Sequence, residues 1–149
     1  MTPRSQNLKW SAALCPEDSQ DLRPGRWFAT EIRRHLAGCG WSVAEPQGWR
    51  DVGWSLVGTR AATSVSIYLA HLGPGEEWLL QLAPTLLPGL IARLRGQQRS
   101  ASSAHLLEIA RQVHAALAPL PRVSAMRWRW DGIPDEKGSL EPTPAPGAG

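Results

Sequence analysis

Between Trp41 and Pro84 the apolar side chains alternate with a period of two, and short turn signals cut the run into pieces. Tight connections cannot carry a chain back to a parallel neighbour, so this stretch has to form antiparallel strands. Trp41, Val43 and Glu45 open a strand that Pro46 stops. Asp51 to Thr59 puts Val52, Trp54 and Leu56 on alternating positions, and Gly58-Thr59-Arg60-Ala61 serves as a hairpin connection. In Thr63 to Leu72, Val65, Ile67 and Leu69 share one face while Ser64, Ser66 and Tyr68 share the other. Leu72-Gly73-Pro74-Gly75 is a strong turn signal, and Glu77 to Ala83 reads as the next strand.

Helical spacing flanks the meander. Trp27, Phe28, Ile32 and Leu36 recur near i, i+4 and i+8 and predict a helix over Pro24 to Ala37. Asp21 stands as its N-cap and Gly38 as the left-handed residue that ends it. Thr85 caps a short predicted helix that runs to Gly96 with Pro88 in its first turn. A longer helix ends near Leu117, with Leu106, Ile109, Ala110, Val113 and Leu117 as its stripe and Ser102 or Ser103 as its cap. Pro119 and Pro121 stop it, and Arg122 to Asp131 forms a closing strand.

The expected order is therefore α-β-β-β-β-α-α-β. Segregated helices and strands mean an α+β fold, with about five strands in a single antiparallel sheet and the helices packed on one face. A chain of 149 residues suits one domain, placed at 23–131. Residues 1–22 read as a loosely ordered arm that Trp10, Leu14 and Leu22 could pin down. Residues 132–149, rich in Pro and Gly, read as a disordered tail.

Composition narrows the function classes. The longest apolar stretch, Leu79 to Ala92, is broken by Gln81, Pro84, Thr85 and Pro88, so stable membrane insertion is not expected. The N-terminus lacks the pattern of a secretory signal, and cytoplasmic residence is expected. Cys15 and Cys39 are expected as thiols. His35, His71, His105 and His114 follow no metal spacing, and no nucleophile elbow, zinc motif or phosphate loop occurs. His105 and Glu108, three apart, read as an exposed helix pair. The expectation is a protein without catalytic residues, cofactor or metal.

Arginine and tryptophan remain as the carriers of recognition. Of 16 basic residues only Lys9 and Lys137 are lysine, and eight tryptophans stand against one Tyr and one Phe. Trp27, Trp54, Trp78 and Trp128 read as core residues. Trp41, Trp49 and Trp130 fall near strand ends or loops, beside Gly or Arg. In Arg127-Trp128-Arg129-Trp130 the arginines fall on one face of a strand and the tryptophans on the other. Arginine beside exposed tryptophan is the usual composition of a binding hot spot. The candidate partner-binding residues are thus Trp130, Arg129, Arg127, Trp49 and Arg50. Nucleic acid is the alternative ligand for the Arg/Trp strand, less favoured because a net charge of +3 is mild. A small enzyme of unknown class is the second alternative.

The order helix, meander (with Asp51-Val52-Gly53-Trp54), helix pair and Trp-rich closing strand resembles that of small bacterial immunity proteins encoded beside polymorphic toxins. The resemblance covers residues 24–131 as architecture and transfers no residue role. It implies a protein that sequesters a cognate toxin. Inhibitors of nucleases are generally acidic, and this chain is mildly basic.

Overall fold

The computed structural model describes residues 5–16, 23–85 and 99–146, with the side chains of residues 99 and 100 outside the description. The strands are β1 (Gln6–Ser11), β2 (Ser42–Val43), β3 (Gln47–Trp49), β4 (Gly53–Arg60), β5 (Thr63–Leu72), β6 (Glu77–Pro84), β7 (Arg99–Ser100) and β8 (Ser124–Trp130). The helices described are α1 (Arg26–Gly38) and α2 (Ser103–Leu117). They build an α+β fold on one open sheet of order β2-β4-β5-β6-β1-β8. β3 continues the β2 side of β4, and short β7 lies parallel to the start of β5. Every other pairing is antiparallel.

The meander matches its period. Thr63–Leu72 is β5 as expected, and the flanking strands shift by a few residues at most. Pro46 divides the edge into β2 and β3, since it cannot donate to the ladder. The helix expected after Thr85 falls on residues 86–98, outside the described residues.

The first correction concerns the N-terminus. Residues 6–11, expected within a loose arm, form β1, which pairs with β6 on one side and β8 on the other. Leu8 and Trp10 are fully buried there. Six residues are too few to display a convincing period, so only the sheet around them reveals the strand. The closing strand consequently pairs with β1 and with no strand of the meander.

The second correction concerns the C-terminus. Within residues 132–146, expected to be disordered, Pro134, Pro142 and Ala145 are buried. Ser139 exchanges two backbone hydrogen bonds with Trp128, at 2.8 and 2.9 Å. The segment covers the outer edge of β8 and satisfies groups that the edge would otherwise leave open. Such ordering comes from another element's unpaired backbone, which composition does not register.

The core lies between the helices and one face of the sheet. Phe28 of α1 meets Trp10 and Trp78 edge-on at 5.5 and 5.1 Å between ring centres, and those two indoles stack at 6.0 Å. Ile32 and Leu36 from α1 and Leu106, Ile109, Val113 and Leu117 from α2 complete it. Gly25 caps α1 at φ 102°, and a Cβ there would stand 3.0 Å from the Trp78 ring. Gly40 (φ 93°), two residues past the expected Gly38, is the left-handed residue that follows α1. Ser102 caps α2 as expected: its Oγ accepts from the His105 backbone N–H, and the Ser102 N–H donates to His105 Nδ1. His105 is thereby occupied by the cap, while Glu108 pairs with Arg60 instead.

Candidate functional site

The face of the sheet opposite α1 and α2 is organised in cross-strand rows. One row runs Gln47, Ser55, Tyr68, Gln81, Asn7, Arg129. The next runs Trp49, Gly53, Ala70, Leu79, Lys9, Arg127. The small residues Gly53 and Ala70 lower the floor of the second row beside the indole of Trp49. Gly53 is required, because a Cβ at that position would collide with the carbonyl oxygen of Leu69.

A groove of about 400 Å³ opens over this depression. Asn7, Tyr68, Ala70, Leu79 and Gln81 floor it, Trp49 forms one wall, and Ser5 with Asp131, Gly132 and Ile133 forms the other. The volume falls in the range of small-molecule and side-chain pockets. Trp49, half-buried, packs tilted against Tyr68 at 5.1 Å, and the Arg50 guanidinium stands over its ring at 4.9 Å. Arg50 holds a left-handed φ of 52°, fixed in part by Arg23 Nε donating to its carbonyl. On the far wall Asp131, at φ 54°, accepts the Ser5 N–H on Oδ1 at 3.0 Å. Ile133 is 61% exposed.

A second recess of about 330 Å³ lies beyond Lys9 on the same face. Arg127 lines it with Lys9, Glu77, Asp135 and Glu136, and Lys9 pairs with Glu77 at 3.4 Å. Its three carboxylates outnumber its two cations.

The five expected partner-binding residues separate accordingly. Trp49 lines the groove, and the Arg50 guanidinium stands over its ring. Arg129 is exposed on the same face and packs against Gly132, whose Cβ position lies 3.2 Å from its Nε. Arg127 points that way too but belongs to the charged recess, with Nη1 donating to the Met126 carbonyl. Trp130 lies on the helix side, 8% exposed, with Nε1 donating to the Thr143 carbonyl at 2.8 Å. The alternation that presents the arginines sends this ring into the core, so its surface is not offered to a partner. Trp41, whose exposure the sequence leaves open, is 3% exposed under the Arg60 guanidinium and donates to Gln112 Oε1.

Sequence reasoning missed Asn7, Tyr68, Gln81 and Ile133. Asn7 and Ile133 fell in the arm and the tail, where no strand was expected. Tyr68 and Gln81 were placed on strands, but only the neighbour order brings them beside Trp49. Cys15 and Cys39 are not joined in a disulfide. Among the described residues no cluster of three or more His, Cys, Asp or Glu is placed to hold a metal ion, and no helix is long and apolar enough to cross a membrane. The chain matches no protein-family model and no curated protein.

Proposed function

We propose that the chain is a non-enzymatic cytoplasmic module that recognises another protein through the sheet face opposite its helices. The partner class implied by the resemblance to immunity proteins is a cognate toxin. The observation that carries the reading is the wall of the groove. There a half-buried tryptophan is braced by Tyr68 and by a stacked arginine, opposite the exposed Ile133. A rigid aromatic anchor beside a recess, ringed by polar residues, has the make-up of an interface hot spot. A polyanion is less well served. Glu77, Asp131, Asp135 and Glu136 stand around Lys9, Arg127 and Arg129, so the face offers no continuous cationic track.

Selection of displayed random peptides against the purified protein tests this. Peptides that bind the native chain should lose at least about tenfold in affinity on Trp49→Ala or Ile133→Arg, the order of effect of removing a hot-spot residue. Both variants should keep the native unfolding transition. Failure to select any peptide, or binding indifferent to both substitutions, overturns the assignment of this face.

A further inference from the structure

The segment that crosses the β8 edge at Ser139 continues with a period of three. Ser139 is half-buried, Pro142 and Ala145 are buried, and the residues between them are exposed. An added strand would cover every second residue, whereas three is the repeat of a polyproline II helix. The composition favours that conformation. Pro142, Pro144 and Pro146 fix their own φ and hold the residues before them extended.

Side chains of the sheet receive this segment. Trp130 Nε1–H donates to the Thr143 carbonyl at 2.8 Å, and Gln6 Nε2 donates to the same oxygen at 3.4 Å. Gln6 is fully buried, on the face of β1 that also carries Leu8 and Trp10. An amide on that apolar face is unfavourable without an acceptor, so the two donors are matched to a carbonyl at this point. Proline-rich segments offer carbonyls and few N–H groups, and their recognition sites answer them with aromatic side chains. Trp130 meets the segment with its N–H edge, its ring remaining in the core.

The hold on the segment is light. From residue 140 to 146 only Pro142 and Ala145 are buried, and both are small. Tethering supplies an effective concentration of millimolar order, enough to keep a weakly bound segment in place. A free segment of the same chemistry that makes more contacts exchanges with it.

We infer that the site beside β8 takes a proline-rich segment of another protein, and that residues 139–146 fill it in that segment's absence. The site is separate from the groove beside Trp49.

The test is NMR of the ¹⁵N-labelled full chain with the hexapeptide acetyl-Glu-Pro-Thr-Pro-Ala-Pro-amide, the sequence of residues 141–146. In the native chain the peptide should move the chain's own Thr143 amide to its free-chain position while the Trp130 indole N–H stays bonded. Ala145→Arg, which expels the segment, should shift the indole signal. The peptide should then restore that signal and bind at least about tenfold tighter than to the native chain. The same peptide with alanine for its prolines should bind about tenfold more weakly, having lost its preorganised conformation. If Ala145→Arg does not fold, the displacement in the native chain decides alone. Equal binding of the two peptides overturns the inference, as does a Thr143 amide unmoved by a large excess of peptide. A response lost on Trp49→Ala would assign the peptide to the groove and also overturn it. So would a native dimer in sedimentation that Ala145→Arg dissociates, since the segment would then come from a second copy.

Discussion

The Trp128 indole N–H donates to His114 Nδ1 at 3.1 Å, tying the last strand of the sheet to the final turn of α2. The acceptor nitrogen carries no proton, so the bond requires the neutral imidazole with its hydrogen on Nε2.

A pH dependence follows. Burial lowers the His114 pKa below its usual 6.5, outweighing the raising effect of Glu141. With the folded value depressed, the unfolded chain binds a proton that the native state excludes. The contribution is therefore complete above about pH 6.5 and is lost as pH falls through the lower folded value. Urea midpoints should drop between pH 7 and 5. In His114→Gln, whose amide oxygen keeps an acceptor but does not titrate, they should drop less. Equal drops would remove His114 as the cause.

Deleting residues 1–11 should abolish cooperative folding. The deletion removes the strand between β6 and β8 together with the fully buried Leu8 and Trp10. Truncation of such side chains costs about 2–5 kcal/mol each, a large share of the about 5–15 kcal/mol that stabilises a typical domain. Thermal melts followed by circular dichroism should show no sharp transition. A transition close to that of the full chain would contradict the placement of β1.

Gly53→Ala should cost about 3 kcal/mol or more, because the new methyl meets the backbone carbonyl of Leu69 and β4 must move away from β5. Gly38→Ala supplies the contrast. That site is helical with nothing within 4 Å of a Cβ, so the change should stabilise by about 0.5–1 kcal/mol. Denaturant midpoints that rank the two variants otherwise would refute the geometry.

Arg60 stands over Trp41 at 4.5 Å while its Nη2 bonds Glu108 Oε2, linking β4 to α2. Arg60→Lys should cost about 1 kcal/mol although charge is kept, since lysine has no planar guanidinium to lay over the Trp41 ring. Glu108→Gln should cost about 0.5 kcal/mol, as the pair is partly exposed and screened by solvent. Unfolding in 1 M salt should narrow the effect of the second substitution and largely spare the first.

The meander and the two described helices were legible in the chain because local period and turn chemistry specify them. The two-residue alternation of Thr63–Leu72 gave β5 to the residue, and Ser102 gave the cap of α2. The arginines of β8 were legible as one face of a strand for the same reason. The sequence did not show which strands lie side by side. That decision rests on long-range pairing: β1 enters between β6 and β8, and residues 132–146 close the edge beyond. Both segments are too short or too polar to announce themselves, and each is ordered by backbone groups that distant elements leave unpaired. The groove depends wholly on that pairing. Asn7, Gln81, Tyr68 and Trp49 lie far apart along the chain, and register alone sets them around one groove, while the same register turns Trp130 into the core. Local chemistry determined the elements; the order in which the strands pair decided which arginines and tryptophans a partner can reach.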